Sequence, residues 1–573
     1  MTSEPNQTNR NSGSIYTPAD FAELLSLWAV VDKNQHILDV GVGEGSITFA
    51  AYERLLALGA TRKKAQQQIH GTEINPLAFT KFQKASEKLN AEFPNIYLKD
   101  FFLAKLPEVD VVIGNPPYVR RSKIHNFNVV KDSFLAQTEI KEDLSALTDL
   151  YIYFILQACT KLKSGGRLAV ITSDSWLNAR YGTVFKNYLK DNFEVESLVS
   201  LDRNIFQADV KALITLAIKK TPSGNKITHF TTVKNGLPAK EILQLLTNSV
   251  SHLADVEVKP INLTSLASSD SWGIQFKAPD FYEEILQHEK ITRVREVANT
   301  RIGIQTLAKD FFVLSPDKIS NLELEAEFFV PLIQSNRNYS HPIIKEASLP
   351  NHYLFYCNVN KNKLSETKAL GYIESAESIE VSIRGKNESV IGYQNKERIK
   401  SSRRSPWYNL KTELQKRNKT EILIPRIVSK CFRVYWNQAQ YVPGEFFIEF
   451  NPKNKEIKTE VYLAILSSSL FDMCLRVKSQ LYGGGAYSVY PGQFRDIPII
   501  NPMLLEEEQR LQLETAYLEY LSDEVKGRKA IDKVILKILG WDISFGKKIN
   551  RKLNDLINVV DTFQKTHPET SKE

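Results

Sequence analysis

The 573-residue chain predicts an α/β fold: a doubly wound, mostly parallel sheet, then a mixed α+β region and a helical tail. Three observations predict it. Between about residues 36 and 220, short β-branched or apolar runs alternate with longer segments of helical period, the rhythm of strands joined by crossover helices. After about residue 240 that rhythm stops. Residues 501–573 return to helical apolar spacing with charged outer faces.

The strands are expected at His36–Val40, Gln68–Glu73, Val109–Ile113, Arg167–Thr172 and Val195–Leu201. Between the third and fourth of these, Leu150, Phe154, Ala158 and Leu162 recur every fourth residue, which predicts a helix over Asp149–Lys163 with Gly165–Gly166 as its stop. Ala212–Ile218 follows Val195–Leu201 too closely for a helical crossover, so it is expected as an antiparallel edge strand. A helix is expected near Asp280–His288, and two more at Glu506–Ser522 and Lys529–Leu539. The expected organisation is a frayed stretch 1–12, an α/β domain 13–250, a linker 251–289, a mixed domain 290–500 and a helical segment 501–573.

Composition excludes several classes. Hydrophobic residues make up 42% and charged residues 24%, ordinary globular usage that rules out a mainly disordered or fibrous chain. The net charge of +8 permits a polyanionic partner without demanding one. The four cysteines (Cys159, Cys357, Cys431, Cys474) lie far apart, against a disulfide framework or a zinc module and in favour of a reducing cytoplasm. The polar start MTSEPNQTNRNSGSIYTP lacks the apolar core of a signal peptide, and no apolar run is long enough for a membrane span.

The first expected strand, with Asp39 on it, runs into Gly41, Gly43 and Gly45, with a helix starting at Ser46. Glycines there let backbone approach a ligand at the carboxyl end of a strand. The pattern is not that of a dinucleotide fold, because positions 46 and 48 are Ser and Thr. Glu73 ends the second strand, where a carboxylate can accept both hydrogen bonds from a ribose diol. A further strand, between Gln68–Glu73 and Val109–Ile113, is expected to carry Leu98–Lys99–Asp100–Phe101; an acid and an aromatic there can meet an exocyclic amine and its ring.

Val109–Gly114 delivers Asn115–Pro116–Pro117–Tyr118. At average residue usage this tetrapeptide arises by chance in a chain of this length in well under about one case in a hundred. The Asn115 carboxamide oxygen and the Pro116 carbonyl can converge on one planar amino group, held rigid by the prolines. Tyr118 offers a face for stacking, worth roughly 1–3 kcal/mol.

With these residues in view, the chain resembles the gamma-arranged, S-adenosylmethionine-dependent N6-adenine DNA methyltransferases of restriction–modification systems. Gly13–Pro18 resembles their N-terminal motif, Leu38–Gly45 the cofactor loop, Asp100–Phe101 the pair that holds the cofactor's adenine, and Asn115–Tyr118 the catalytic motif. Asp149–Leu150–Tyr151, Gly165–Arg167 through Trp176–Leu177, and Ile205–Phe206 before Ala212–Ile218 follow in family order. The resemblance implies a Rossmann-like class I methyltransferase domain. It implies cofactor contacts from Tyr16, Thr17, Pro18, Asp39, Gly41, Gly43, Gly45, Glu73, Ile74, Asp100 and Phe101, with no metal. Tyr181 is the candidate second aromatic against an extruded base. Val42 and Glu44 depart from the small residues or Cys common in family loops.

More faintly, residues after about 290 resemble the family's target-recognition regions, through Ile302–Thr306, Pro406–Tyr408, Ile424–Arg426, Tyr482–Gly485 and Ala530–Gly540. A site that modifies a base within a duplex must extrude it and read its neighbours. Arg426, Lys430 and Arg433, interleaved with Phe432 and Tyr435, are the candidates for phosphate or base contact. The implied partner is duplex DNA, with a separate cognate restriction endonuclease and no membrane. Only about 12 residues precede Gly13, so methylation without cleavage is expected. Three alternatives stay open: methylation of cytosine N4, methylation of RNA or a protein glutamine, and a non-catalytic DNA-binding subunit.

Overall fold

The computed structural model describes residues 17–118, 127–138, 140, 148–201, 211–220, 227–233, 237–248, 256–348, 350–383, 389–415, 417, 420–482 and 485–566. The chain divides into two compact units, Met1–Lys277 and Ala278–Glu573.

The first unit is built on a nine-stranded sheet: β1 (Ile37–Val40), β2 (Ile69–Glu73), β3 (Ile96–Leu98), β4 (Val109–Gly114), β5 (Leu162–Ser173), β6 (Phe193–Leu201), β7 (Ala212–Lys219), β8 (Ile227–Val233) and β9 (Val256–Asn262). Their order across the sheet is β3-β2-β1-β4-β5-β7-β6-β8-β9. From β3 to β5 all neighbours are parallel. Side chains alternate between two cores, as the period of two demands: Leu38, Val40, Val112 and Val170 enter one, Ile37, Val111, Ile113 and Ile171 the other. Helices α1 (Ala19–Ala29) and α2 (Ser46–Ala57) supply the second core, and α3 (Leu150–Lys161) the first. That two-faced covering is the doubly wound architecture expected.

Three details differ from expectation. Ala212–Lys219 is antiparallel but is no edge strand, because it lies between β5 and β6 and pairs with both. Its residues Ala212–Ala217 are all buried, and an edge there would leave a row of unpaired backbone groups. The glycine pair does not end the helix, which stops at Lys161. Gly165 and Gly166 instead fall within β5, at an irregular register with β4 and with Gly165 at φ +78°. A Cβ on Gly166 would come within 2.9 Å of the Asp110 carbonyl. Within the stretch expected as a linker, β9 pairs antiparallel with β8, and Trp272 is fully buried in the first unit's core.

The second unit holds a five-stranded sheet with Ala298–Ile302, Phe447–Pro452, Ile422–Pro425, Tyr435–Asn437 and Ile343–Ile344 in that order. Beside it a smaller sheet of Val313–Leu314, His352–Phe355, Phe329–Ile333 and Val442–Pro443 has its own aromatic core around Phe311, Phe355 and Tyr408. The helical end runs Glu507–Ser522, Glu524–Ile538 and Ile543–Thr566, one helix more than the two expected. Of the described residues searched, no helix is long and apolar enough to cross a membrane.

Candidate active site

β1 ends at Val40, and the chain turns through Gly41, Gly43 and Gly45 with φ of +92°, +58° and +98°. These left-handed angles are open to glycine and strained for other residues. Gly45 stands at the N-cap of α2. A Cβ on Gly41 would lie 3.7 Å from the Asn115 carbonyl oxygen and 3.8 Å from Pro117 Cδ. The glycine turn therefore sits against the tetrapeptide. Its neighbour Glu44 pairs with Lys81 at 2.6 Å, on the solvent side.

Asp39 is fully buried, and Thr48 Oγ1 donates to its Oδ2 at 2.7 Å. Its Oδ1 has no hydrogen-bond partner among the described residues. Burial, with the nearby Glu73 charge, raises this carboxyl to about 7. In the sequence Thr48 stands out only as a departure from the dinucleotide pattern; its role is to hold Asp39. Glu73 accepts from the Gly43 N–H at 2.8 Å through Oε2 and from the Asn75 N–H at 2.7 Å through Oε1. The carboxylate thus ties the second strand to the glycine turn. The next residue, Ile74, is 66% exposed. Asp100 accepts from the Phe102 N–H at 2.9 Å and so caps the turn Phe101–Leu103. The Phe101 ring is buried and stacks on Phe154 at 4.7 Å.

Gly114 lets β4 lie tight against β1: a Cβ there would sit 2.8 Å from the Val40 carbonyl. Asn115 follows, 9% exposed, and its Nδ2 donates to Thr17 Oγ1 at 3.1 Å. Pro116 is buried, and Pro117 and Tyr118 are half-buried. The Tyr118 hydroxyl donates to the Ile171 carbonyl at 3.2 Å, and burial raises its phenol well above the ordinary range. Tyr151 meets the Tyr118 ring edge-on at 5.9 Å. The Tyr151 and Tyr181 hydroxyls lie 3.2 Å apart, and Tyr181 donates to Asp149 at 2.9 Å. Asp149, Tyr151 and Tyr181 thereby join one cluster with the tetrapeptide.

Thr17 and Pro18 lead into α1, and the Thr17 carbonyl accepts from Ser46 Oγ at 2.8 Å. Ser46, like Thr48, carries no clear signal in the sequence. Tyr16 lies outside the described residues. Of the described residues searched, no group of three or more His, Cys, Asp or Glu is placed to hold a metal ion.

Arg426, Lys430 and Arg433 all belong to the second unit. Arg433 grips Glu524 with its fork, at 2.7 Å from Nη2 and 2.9 Å from Nε. Arg426 donates to the Glu445 carbonyl at 2.8 Å and lies over the Tyr490 ring. Lys430 is exposed, on a loop whose carbonyls are held from below: Ser429 and Lys430 by Arg476, Phe432 by Arg528.

Residues 25–206 match the Eco57I restriction-modification methylase family, and residues 273–538 match the C-terminal domain of Type II methyltransferase M.Eco57I. Type II methyltransferase M.AccI from Acinetobacter calcoaceticus is 22% identical over 542 residues, covering 91% of each chain. Type II methyltransferase M.BstVI from Geobacillus stearothermophilus is 26% identical over 56% of this chain and 63% of its own. A solved structure of the Type IIL restriction-modification enzyme MmeI in complex with DNA superposes with a TM-score of 0.58 at 12% identity, over 96% of this chain and 75% of that one. That likeness shows a shared fold. With both matches in chain order, and with the glycine turn and the Asn-Pro-Pro-Tyr turn side by side, the chain carries the domains of the Eco57I-type restriction-modification methylases.

Proposed function

We propose that the chain transfers a methyl group from S-adenosylmethionine to the N6 amino group of an adenine extruded from duplex DNA, at a specific site. The observation that carries this reading is the place of the Asn115–Tyr118 turn beside Gly41, where an added Cβ would lie 3.7 Å from the Asn115 carbonyl oxygen. A donor held over the glycines would stand beside the two acceptors of the tetrapeptide.

The residues present fit such a cofactor. Gly41, Gly43 and Gly45 form a turn that side chains would strain. The buried Asp39 keeps an oxygen without a hydrogen-bond partner among the described residues, Glu73 lies at the strand end where a ribose diol is bound in related folds, and Ile74 is an exposed apolar side chain next to it. Thr17, Pro18, Asp100 and Phe101 would complete the pocket. When bound, the cofactor supplies an activated methyl group on a cationic sulfur.

The protein's own share is position and polarisation. The Asn115 carboxamide oxygen and the Pro116 carbonyl accept hydrogen bonds from the amino group, drawing its nitrogen from planar towards tetrahedral and localising its lone pair. Rigid prolines hold both acceptors where charge develops, which is where such groups act most strongly. Tyr118 stacks on the base, and Tyr181 closes the pocket from the other side. The extrusion leaves a site-reading role to the second unit, with Arg426 and Lys430 as its candidate DNA contacts, Arg433 being engaged by Glu524, and a separate cognate endonuclease as partner.

The test is labelled methyl transfer to duplex DNA, followed by hydrolysis and identification of the base. N6-methyladenine is the expected product, and Asn115→Ala should lower kcat by about 10²–10³-fold. An undiminished Asn115→Ala variant, or label on cytosine N4 or on RNA alone, would overturn the reading.

A further inference from the structure

We propose that Thr17 is a positioning residue for the transfer step: its hydroxyl takes the carboxamide N–H of Asn115, setting which end of that amide meets the substrate, and Ser46 fixes Thr17 in turn. The inference rests on the role given to Asn115 above and adds two residues to it.

A carboxamide has two ends of nearly equal shape and opposite hydrogen-bonding character. Turned one way, Asn115 offers an acceptor to an incoming amine; turned the other, it offers two donors and repels it. The bond from Nδ2 to Thr17 Oγ1, 3.1 Å long, uses the donor end. The oxygen, on the opposite side of the amide, is then directed away from Thr17. Both residues are more than nine-tenths buried, so water does not compete freely for the same donor.

Thr17 is itself held at two points. Pro18 follows it, which restricts its backbone to extended angles. Its carbonyl accepts from Ser46 Oγ at 2.8 Å, and Ser46 is the first residue of α2, directly after Gly45. One residue thus joins the entry to α1, the end of the glycine turn and the Asn115 carboxamide, which lies 98 positions away. Having accepted from Asn115, the Thr17 hydroxyl keeps its own proton to give. Occupation of the cleft by an acceptor group would tighten the same hydroxyl and so favour the productive orientation of Asn115.

Valine has the shape of threonine without the hydroxyl. Thr17→Val is expected to lower kcat for DNA methylation by about 10- to 100-fold with KM for DNA changed by less than about threefold. Thr17→Ser should restore most of the rate, and Ser46→Ala should cost only a few-fold. Should valine not be accommodated, Thr17→Ala serves the same comparison. Cofactor affinity, measured by calorimetry, should fall less than kcat does. Equal loss of both would reduce Thr17 to a cofactor ligand, and serine performing no better than valine would remove the hydroxyl from the account; either overturns the proposal. A readout independent of activity is the unfolding midpoint of Thr17→Val, Asn115→Ala and the double variant. Non-additive losses are expected for a shared hydrogen bond, whereas additive losses would show that the two side chains do not act together. If the wild-type enzyme labels no DNA, the proposed function fails, and the unfolding cycle still decides whether Thr17 holds Asn115.

Discussion

Buried charge is handled in opposite ways at Asp39 of the first unit and at Glu449 and Asp472 of the second. In the first, Asp39 is sealed in the core with one oxygen unpartnered and, among the described residues, no cation to offset the burial. In the second, Glu449 and Asp472 are saturated. Glu449 accepts from Arg301 at 2.7 Å, from Arg417 and from Thr420; Asp472 accepts from Arg476 at 2.7 Å and from Arg528 at 3.1 Å. A completed network of this kind holds a fold in one arrangement, while a carboxyl left incomplete keeps capacity for a ligand. Removing a charge should therefore have opposite signs in the two places.

The largest effect is expected in the second unit. Arg476 is fully buried, and it joins Asp472 to the carbonyls of Ser429 and Lys430. Arg476→Ala strands a buried carboxylate and two carbonyls, with an expected loss of about 3–5 kcal/mol. The check is a denaturant midpoint, with the loop carrying Lys430 losing protection from hydrogen exchange at the same time. A loss below about 1 kcal/mol would mean that Arg528 alone satisfies Asp472, and the contrast between the units would weaken.

Asp39→Asn should move stability the other way. Its folded pKa, about 7, lies above the unfolded value of 3.8. The protonated carboxyl is thus favoured by folding; its contribution is fully present below about pH 3.8 and lost as pH rises through about 7. Asparagine keeps an acceptor for Thr48 and has no charge to bury. The variant should be more stable than wild type at pH 8 by an amount on the order of a few kcal/mol, and level with it near pH 4. Cofactor binding should weaken in the same variant. A lower unfolding midpoint at pH 8 would show that Asp39 is stabilised as a carboxylate by groups other than Thr48.

This asymmetry also explains what could be read along the chain. Strands β1, β2, β4, β5 and β6 were legible because buried strands are continuous apolar runs, and the candidate site because its chemistry is written in contiguous pieces: three glycines, then Asn115–Tyr118. Features set by long-range pairing were not legible. Nothing local to Ala212–Lys219 tells that it slots between β5 and β6, and nothing local to Thr48 tells that it binds an aspartate on the preceding strand. The pairing of Arg433 was hidden for the same reason. Arg433 reads as available charge, yet its partner Glu524 stands 91 positions later.

That last pair gives the smallest and most discriminating test. Arg433 and Glu524 are both partly exposed, at 21% and 30% of their side chains, so solvent screens them and Arg433→Ala should cost no more than about 1 kcal/mol of stability. Because Glu524 already neutralises it, the variant should leave the salt dependence of DNA binding unchanged. Lys430→Ala, at an exposed position on a loop pinned by Arg476 and Arg528, should behave in the reverse sense. Its stability should stay within about 0.5 kcal/mol of wild type. Its slope of log affinity against log salt should be shallower by about one for each phosphate that is no longer neutralised. Measuring both variants on one duplex across salt concentrations separates charge spent on the fold from charge that meets phosphate. Equal slopes for the two would place Arg433 and Lys430 in the same class.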